Sequence, residues 1–283
     1  MTDYTIKRDY WQRPWVTTGG GPLRYEDGKK SPVNATAYTR VSTLAETLDD
    51  KGGLMDWCAA NAAIGVVKDA SLYAQIAHLA SAHVDPWSVP EAKQQLKPLV
   101  SRAQQIAGSD TGSGMGTAFH GLAELIDAGQ DPEFVPPPMR PWLDAYREAL
   151  ADWEVLDSEV FVVADEVQAA GSLDRLLRHR KSGRVVVADI KSGKSDPDYP
   201  LKVTIQTAIY AHGQRYDQET GVRAPLHPEV DVERGLLIHV PIRSGKKPQA
   251  NLYPLDLEQG WELAKVAVRV REARRMTKLE AIA

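Results

Sequence analysis

The sequence predicts a mixed α/β chain, an α+β core with a mixed sheet preceded by an N-terminal helical lobe. Three observations predict it. Residues 55–73 are rich in alanine and other apolar side chains, as a packed helix requires. Residues 159–165 and 185–191 are short valine-rich runs and 169–179 is an apolar-and-polar run between them, all bounded by glycine and polar residues, which read as three consecutive strands of a meander. Helical spacing then returns over 201–216 and 258–278, on either side of two more strand-like runs.

Taken in order, residues 1–35 read as a polar arm, punctuated by Gly19-Gly20-Gly21-Pro22 and by Gly28-Lys29-Lys30-Ser31-Pro32. Residues 36–114 form the expected lobe: Ser42 or Thr43 is placed to cap a first helix, 55–73 gives a second, and 89–107 a third that Pro98 breaks or kinks. Residues 115–283 form the expected core. It begins with a helix over 115–127 and the Pro136-Pro137-Pro138 loop, followed by a helix over 141–155 that accepts Pro141 in its first turn. The three strands follow, then the helix 201–216, strands 235–242 and 251–255, and the closing helix. No internal repeat is visible.

Composition narrows the function. Apolar residues make up 43% and charged residues 25%, the balance of a globular protein and not of a disordered one. The single cysteine, Cys58, excludes a disulfide framework and cannot by itself hold an iron–sulfur cluster. With a polar N-terminus and no apolar run long enough to span a bilayer, the expectation is a cytoplasmic protein with no membrane association. Gly112-Ser113-Gly114-Met115-Gly116 lacks the lysine of a phosphate-binding loop, so no ATP chemistry is expected. A net charge of −4 and a pI near 6.0 give no global basic footprint, so contacts to a polyanion would have to be local.

The chemistry-bearing residues are few. In Val185-Val186-Val187-Ala188-Asp189-Ile190-Lys191, alternation along a strand puts Asp189 and Lys191 on one face. Taken alone, that pair serves equally as a surface ion pair. Gly171-Ser172-Leu173-Asp174 sets an aspartate in an otherwise apolar run; a meander would bring it beside Asp189, although a turn aspartate reads the same way. Two carboxylates that close need a proton or a divalent cation between them. His120 and Glu124 share a helical face four residues apart, and Gln206 and Tyr210 repeat that spacing; packed or solvent-facing side chains fit both pairs. The last helix interleaves Lys265, Arg269, Arg271, Arg274, Arg275 and Lys278 with valines, a face suited to phosphates or simply to water. Trp11, Trp15, Trp57 and Trp87 suit base stacking or core packing alike.

Order and spacing add what single motifs do not. Gly116-x-x-x-His120-x-x-x-Glu124, Gly171-x-x-Asp174, Asp189-x-Lys191 and Gln206-x-x-x-Tyr210 occur in this sequence in that order. Over residues 115–210 the chain resembles the RecB-like branch of the PD-(D/E)XK nuclease superfamily, whose members have a restriction-endonuclease-like core. The resemblance implies that His120, Asp174 and Asp189, with the Ile190 backbone carbonyl, hold Mg²⁺ or Mn²⁺. It implies that Lys191 positions the attacking water and stabilises charge at the scissile phosphate. Gln206 and Tyr210 would brace the site or touch substrate, with Glu124 either an outer partner of the metal or an ordinary polar residue. The exonucleases of CRISPR adaptation share these motifs but carry four cluster-binding cysteines, which this chain lacks; the compact form is similar to phage-type recombination or replication exonucleases. The implied function is a metal-dependent DNA exonuclease acting in recombination, replication or repair, with a recombination or annealing protein as an expected partner and the oligomeric state open. A structure-selective or nicking endonuclease is the alternative, and a non-catalytic DNA-binding protein the third reading.

Overall fold

The structure is a computed structural model that describes residues 5–109, 111–193, 200–242, 245 and 247–276. The chain divides into two compact units, one of residues 1–49 with 119–283 and one of residues 50–118.

The smaller unit is helical. It holds α2 (Gly52–Lys68), α3 (Ala70–Ala82), α4 (Pro90–Ile106) and the first part of α5 (Thr111–Asp127). Asp69 caps α3, accepting from the Leu72 N–H at 3.0 Å, and its other oxygen takes Arg102 of α4 at 3.1 Å. α2 and α4 touch at Gly65, where an added Cβ would stand 1.8 Å from the Ala103 carbonyl oxygen. Pro98 lies inside α4 without ending it.

The larger unit is built on a mixed sheet in the order β10-β9-β6-β5-β4-β7-β8, with β3 added on β5. Its strands are β3 (Thr39–Arg40), β4 (Trp153–Ala164), β5 (Ala169–His179), β6 (Val185–Lys191), β7 (Gln214–Asp217), β8 (Val222–Pro225), β9 (Arg234–His239) and β10 (Asn251–Asp256). β6 pairs antiparallel with β5 and parallel with β9, so it is covered on both edges. Residues 185–190 are all buried, which is why residues 185–188 are apolar without alternation and Asp189 is a buried acid. Helices α1 (Val41–Ala45), α7 (Leu201–Ala211) and α8 (Leu257–Ala273) close the main core through Val41, Leu44, Ile205, Ile209, Leu257 and Ala264. The remaining helix, α6 (Arg140–Ala149), buries Trp142, Leu143 and Tyr146.

Several boundaries differ from the sequence expectation. The helix expected over 141–155 ends at Ala149, and β4 already begins at Trp153; a bulge beside Val155 and the φ of +52° at Glu159 disrupt the alternation that would have marked this strand. The helix expected over 201–216 stops at Ala211. Gly213 follows, where an added Cβ would fall 2.3 Å from Val162, and residues 214–217 cross into the sheet as β7. Neither Ser42 nor Thr43 caps α1; Arg40 stands at its start with no side-chain cap. Within the segment read as a polar arm, β1 (Trp15–Thr17) pairs with β2 (Ala35–Ala37), and the Tyr216 hydroxyl accepts the Thr17 N–H at 2.9 Å. Val41, Leu44 and Ala45, expected in the helical lobe, lie in the core of the larger unit. α8 is described to Ala273, and Lys278 lies outside the described residues.

Candidate active site

Two neighbouring strands deliver the carboxylates. Arg175 pairs with Ala188 and Leu176 with Val187, a register that carries Asp174 to the place opposite Asp189. Just beyond the last paired residues, the Ile190 N–H donates to Asp174 Oδ2 at 2.7 Å, so a side-chain oxygen takes over where the ladder stops. Asp189 is only 2% exposed, and a carboxylate there needs partners. Gln206 Nε2 donates to its Oδ1 at 2.9 Å, and Lys191 Nζ stands 2.5 Å from its Oδ2.

α5 brings the imidazole. Phe119 and Ala123 are buried, and Phe119 packs edge-on against Tyr146 with ring centroids 5.8 Å apart. That packing leaves His120 Nδ1 4.0 Å from Asp174 Oδ2. Seven residues on, and therefore on the same helical face, Asp127 Oδ2 accepts from Arg175 Nε at 2.5 Å and from the Tyr146 hydroxyl at 2.7 Å. Arg175 Nη1 in turn donates to the Asp174 carbonyl oxygen at 2.7 Å. A buried ion pair therefore clasps α5 to β5 beside Asp174, with side-chain exposures of 1% for Arg175 and 6% for Asp127.

Gly171 and Tyr210 are coupled by space. An added Cβ at residue 171 would stand 2.9 Å from the Tyr210 hydroxyl and 3.5 Å from Val41, so the glycine of G-x-x-D is what admits the tyrosine of Q-x-x-x-Y.

The electrostatics are those of crowded acids. Burial raises the Asp189 carboxyl against the pull of Lys191, with Asp174 adding to the rise. Burial likewise holds the Tyr210 phenol well above its ordinary value, reinforced by Asp174, Asp189 and Glu159. Burial would depress the Lys191 ammonium, but Asp189 and Asp174 outweigh it and hold the group above the usual lysine range. His120 is pushed below its ordinary value by burial, with Lys191 and Arg175 adding to that effect against Asp174, so its ring keeps a lone pair for a ligand.

One residue was missed in the sequence. Glu159 falls opposite Asp174 in the β4–β5 register, between the pairs Ser158–Arg175 and Val160–Leu173. Although Glu159 is exposed as a residue, partial burial of its carboxyl, with Asp174 and then Glu124, pushes it up to about 7. The signal was an acidic side chain amid apolar residues just before G-x-x-D. Its left-handed backbone breaks the alternation of β4, so the strand expected from the sequence begins only at residue 159 and not at Trp153.

All of the sequence-predicted residues thus gather at one end of the β5–β6 pair. Among the described residues, however, no three His, Cys, Asp or Glu side chains already form a group that could hold a metal ion. The reason is visible: Asp189 is engaged by Gln206 and Lys191, and His120 stands at 4.0 Å from Asp174. The donor chemistry fits a hard divalent cation, because acids that raise one another's proton affinity are the ones such an ion relieves.

Residues 114–278 match the PD-(D/E)XK nuclease superfamily. The chain belongs to this superfamily. Its mixed sheet and flanking helices accord with the PD-(D/E)XK fold, and the matched segment contains His120, Asp174, Asp189, Lys191, Gln206 and Tyr210. PD-(D/E)XK nucleases use divalent metals, typically Mg²⁺ or Mn²⁺. No curated protein matches the chain. Among the described residues, no helix is long and apolar enough to cross a membrane.

Proposed function

We propose that this chain is a divalent-metal-dependent deoxyribonuclease that degrades DNA from an end, in the manner of the phage-type recombination exonucleases it resembles. The observation that carries the reading is the convergence of an imidazole, two opposed aspartates and an ammonium: His120 at 4.0 Å from Asp174, Asp174 opposite Asp189, and Lys191 at 2.5 Å from Asp189. The Q-x-x-x-Y helix, which the resemblance associates with end-degrading members, favours exonuclease action.

In this reading His120, Asp174 and Asp189, with the Ile190 carbonyl, would hold Mg²⁺ or Mn²⁺. Such an ion supplies Lewis-acid polarisation of the scissile phosphate and acidifies the attacking water. The chain's own groups do the rest. The Ile190 N–H fixes Asp174 Oδ2, the oxygen that stands 4.0 Å from His120 Nδ1. Gln206 sets the plane of the Asp189 carboxylate by holding Oδ1. Lys191 keeps its proton and so places a positive charge where the phosphate gains negative charge. The Tyr210 phenol, protonated at any working pH, remains a hydrogen-bond donor. The products are 5′-phosphate and 3′-hydroxyl ends.

End-labelled linear DNA incubated with Mg²⁺ or Mn²⁺ tests the proposal, with covalently closed circles alongside. Loss of label from linear DNA, abolished by Asp189→Ala and by Lys191→Ala, is expected. Circles opened as fast as linear DNA is consumed would replace the exonuclease with a nicking endonuclease. Cleavage that survives both substitutions would remove these residues from the site.

A further inference from the structure

A second cluster of charge lies in the larger unit, built mainly from segments outside the superfamily match. Trp11, Arg13, Thr39, Arg40, Thr43 and Arg271 line a pocket of about 380 Å³. Three separate segments meet there: the residues before β1, the junction of β3 with α1, and the last turn of α8. A smaller pocket of about 150 Å³ shares Thr39 and Arg271 and adds Arg275, with Glu166 and Glu272 on its wall.

The charge is poorly compensated. Arg13 is held by Asp9, Nε to Oδ2 at 2.7 Å. Among the described residues, no carboxylate lies within ion-pair distance of Arg40, Arg271 or Arg275. Burial lowers the Arg271 guanidinium, and the nearby charges of Arg275, Arg274 and Arg13 lower it further. Cations that repel one another in a concave site favour an incoming anion. Trp11 is 68% exposed, and the Arg13 guanidinium lies 5.1 Å from its ring. The pocket therefore combines a flat aromatic surface with several positive charges.

It also lies near the site along β5. Arg40 pairs with Ala170 of β5, four residues before Asp174. At ~3.3 Å per residue that is roughly 13 Å along the strand. Arg8, on the same N-terminal segment, has its guanidinium lowered by partial burial and then by the charge of Arg40.

We propose that this pocket binds the backbone of a single DNA strand, with phosphates on Arg40 and Arg271 and an unpaired base against Trp11. That the strand held here is the one being cut rests on the nuclease reading; the binding itself does not. A repeated anion with flat bases suits guanidiniums interleaved with an indole better than an isolated phosphate or a carboxylate does.

The test is binding by the full chain in EDTA, where no cleavage occurs, using a fluorescein-labelled oligothymidylate of about 20 nucleotides. Arg40→Ala/Arg271→Ala should weaken binding at least tenfold and lower the log–log salt slope by about 1.4, at ~0.7 for each phosphate no longer neutralised. Arg40→Lys/Arg271→Lys should restore most of that slope. Trp11→Ala should cost about tenfold with the slope unchanged. Unaltered affinity and slope in the double alanine variant, with the thermal melt intact, would overturn the proposal. So would a wild-type chain that does not bind the strand, or polyglutamate displacing it as well as unlabelled DNA does. A wild type that binds as described but cuts nothing with Mg²⁺ or Mn²⁺ sinks the nuclease reading and leaves the pocket standing. A wild type that cuts while the double variant binds normally sinks the pocket alone.

Discussion

Replacing Arg175 by methionine isolates the clasp that ties α5 to β5. The guanidinium is 1% exposed and Asp127 6% exposed, so the change strands a buried carboxylate that keeps only the Tyr146 hydroxyl as partner. Breaking a buried pair from one side costs ~3–5 kcal/mol. The missing bond to the Asp174 carbonyl is part of the same network and is not counted again. At ~2–4 °C per kcal/mol for a domain of this size, the melting temperature should fall by roughly 6–20 °C. Urea unfolding followed by tryptophan fluorescence measures it: the midpoint should move down with the slope unchanged. Arg175→Met/Asp127→Asn, which removes both charges, should recover about 0.5–3 kcal/mol relative to the sum of the single variants. A single-variant loss below about 1 kcal/mol would show that Arg175 is no buried strut and that His120 and Asp174 are held together by something else.

Three further outcomes follow from the same geometry. Gly171→Ala should destabilise by ~1–3 kcal/mol and depress cleavage, because its Cβ meets the Tyr210 hydroxyl at 2.9 Å; adding Tyr210→Phe should recover much of the stability, as read in thermal melts. Lys191→Ala should slow single-turnover cleavage by ~10²–10⁴ while the melt stays cooperative, since the Lys191 side chain is 42% exposed and little packing is removed. Gly65→Val should open the α2–α4 contact, where a Cβ has 1.8 Å to the Ala103 carbonyl; amide exchange should lose protection in those two helices and keep it in β5 and β6.

What could be read from the sequence follows the reach of local pattern. β6 was legible because a valine run leads into Asp189-Ile190-Lys191, β5 because its apolar residues are set off by glycine and polar ones, and α7 because Gln206 and Tyr210 repeat a helical step. The set His120, Asp174, Asp189 and Lys191 came from the family resemblance that the motif order supports; the β5–β6 pairing sets Asp174 opposite Asp189, and α5 brings His120. Glu159 stayed hidden, since its role depends on a bulge and a left-handed residue that no periodicity announces. The clasp of Asp127 with Arg175 is a long-range pairing across 48 positions, and neither residue signals it alone. The short strands β1 and β2 were lost among glycines and prolines, and the side chains that tie β1 down, Tyr216 and Gln218, come some two hundred residues later.

The hydrogen bond from the Ile190 amide to Asp174 Oδ2 ties the fate of the proposed site to that of the sheet. Ile190 is fully buried, so a variant without that oxygen leaves an amide unsatisfied, at a cost of ~1–3 kcal/mol. Among the described residues, the Lys191 side chain satisfies no backbone group, and the buried Asp189 it would leave behind, already raised by burial, can take up a proton in its place. A lineage that ceased to need the reaction would therefore erode unevenly, shedding the lysine early and retaining the aspartate long after any selection for cleavage had gone.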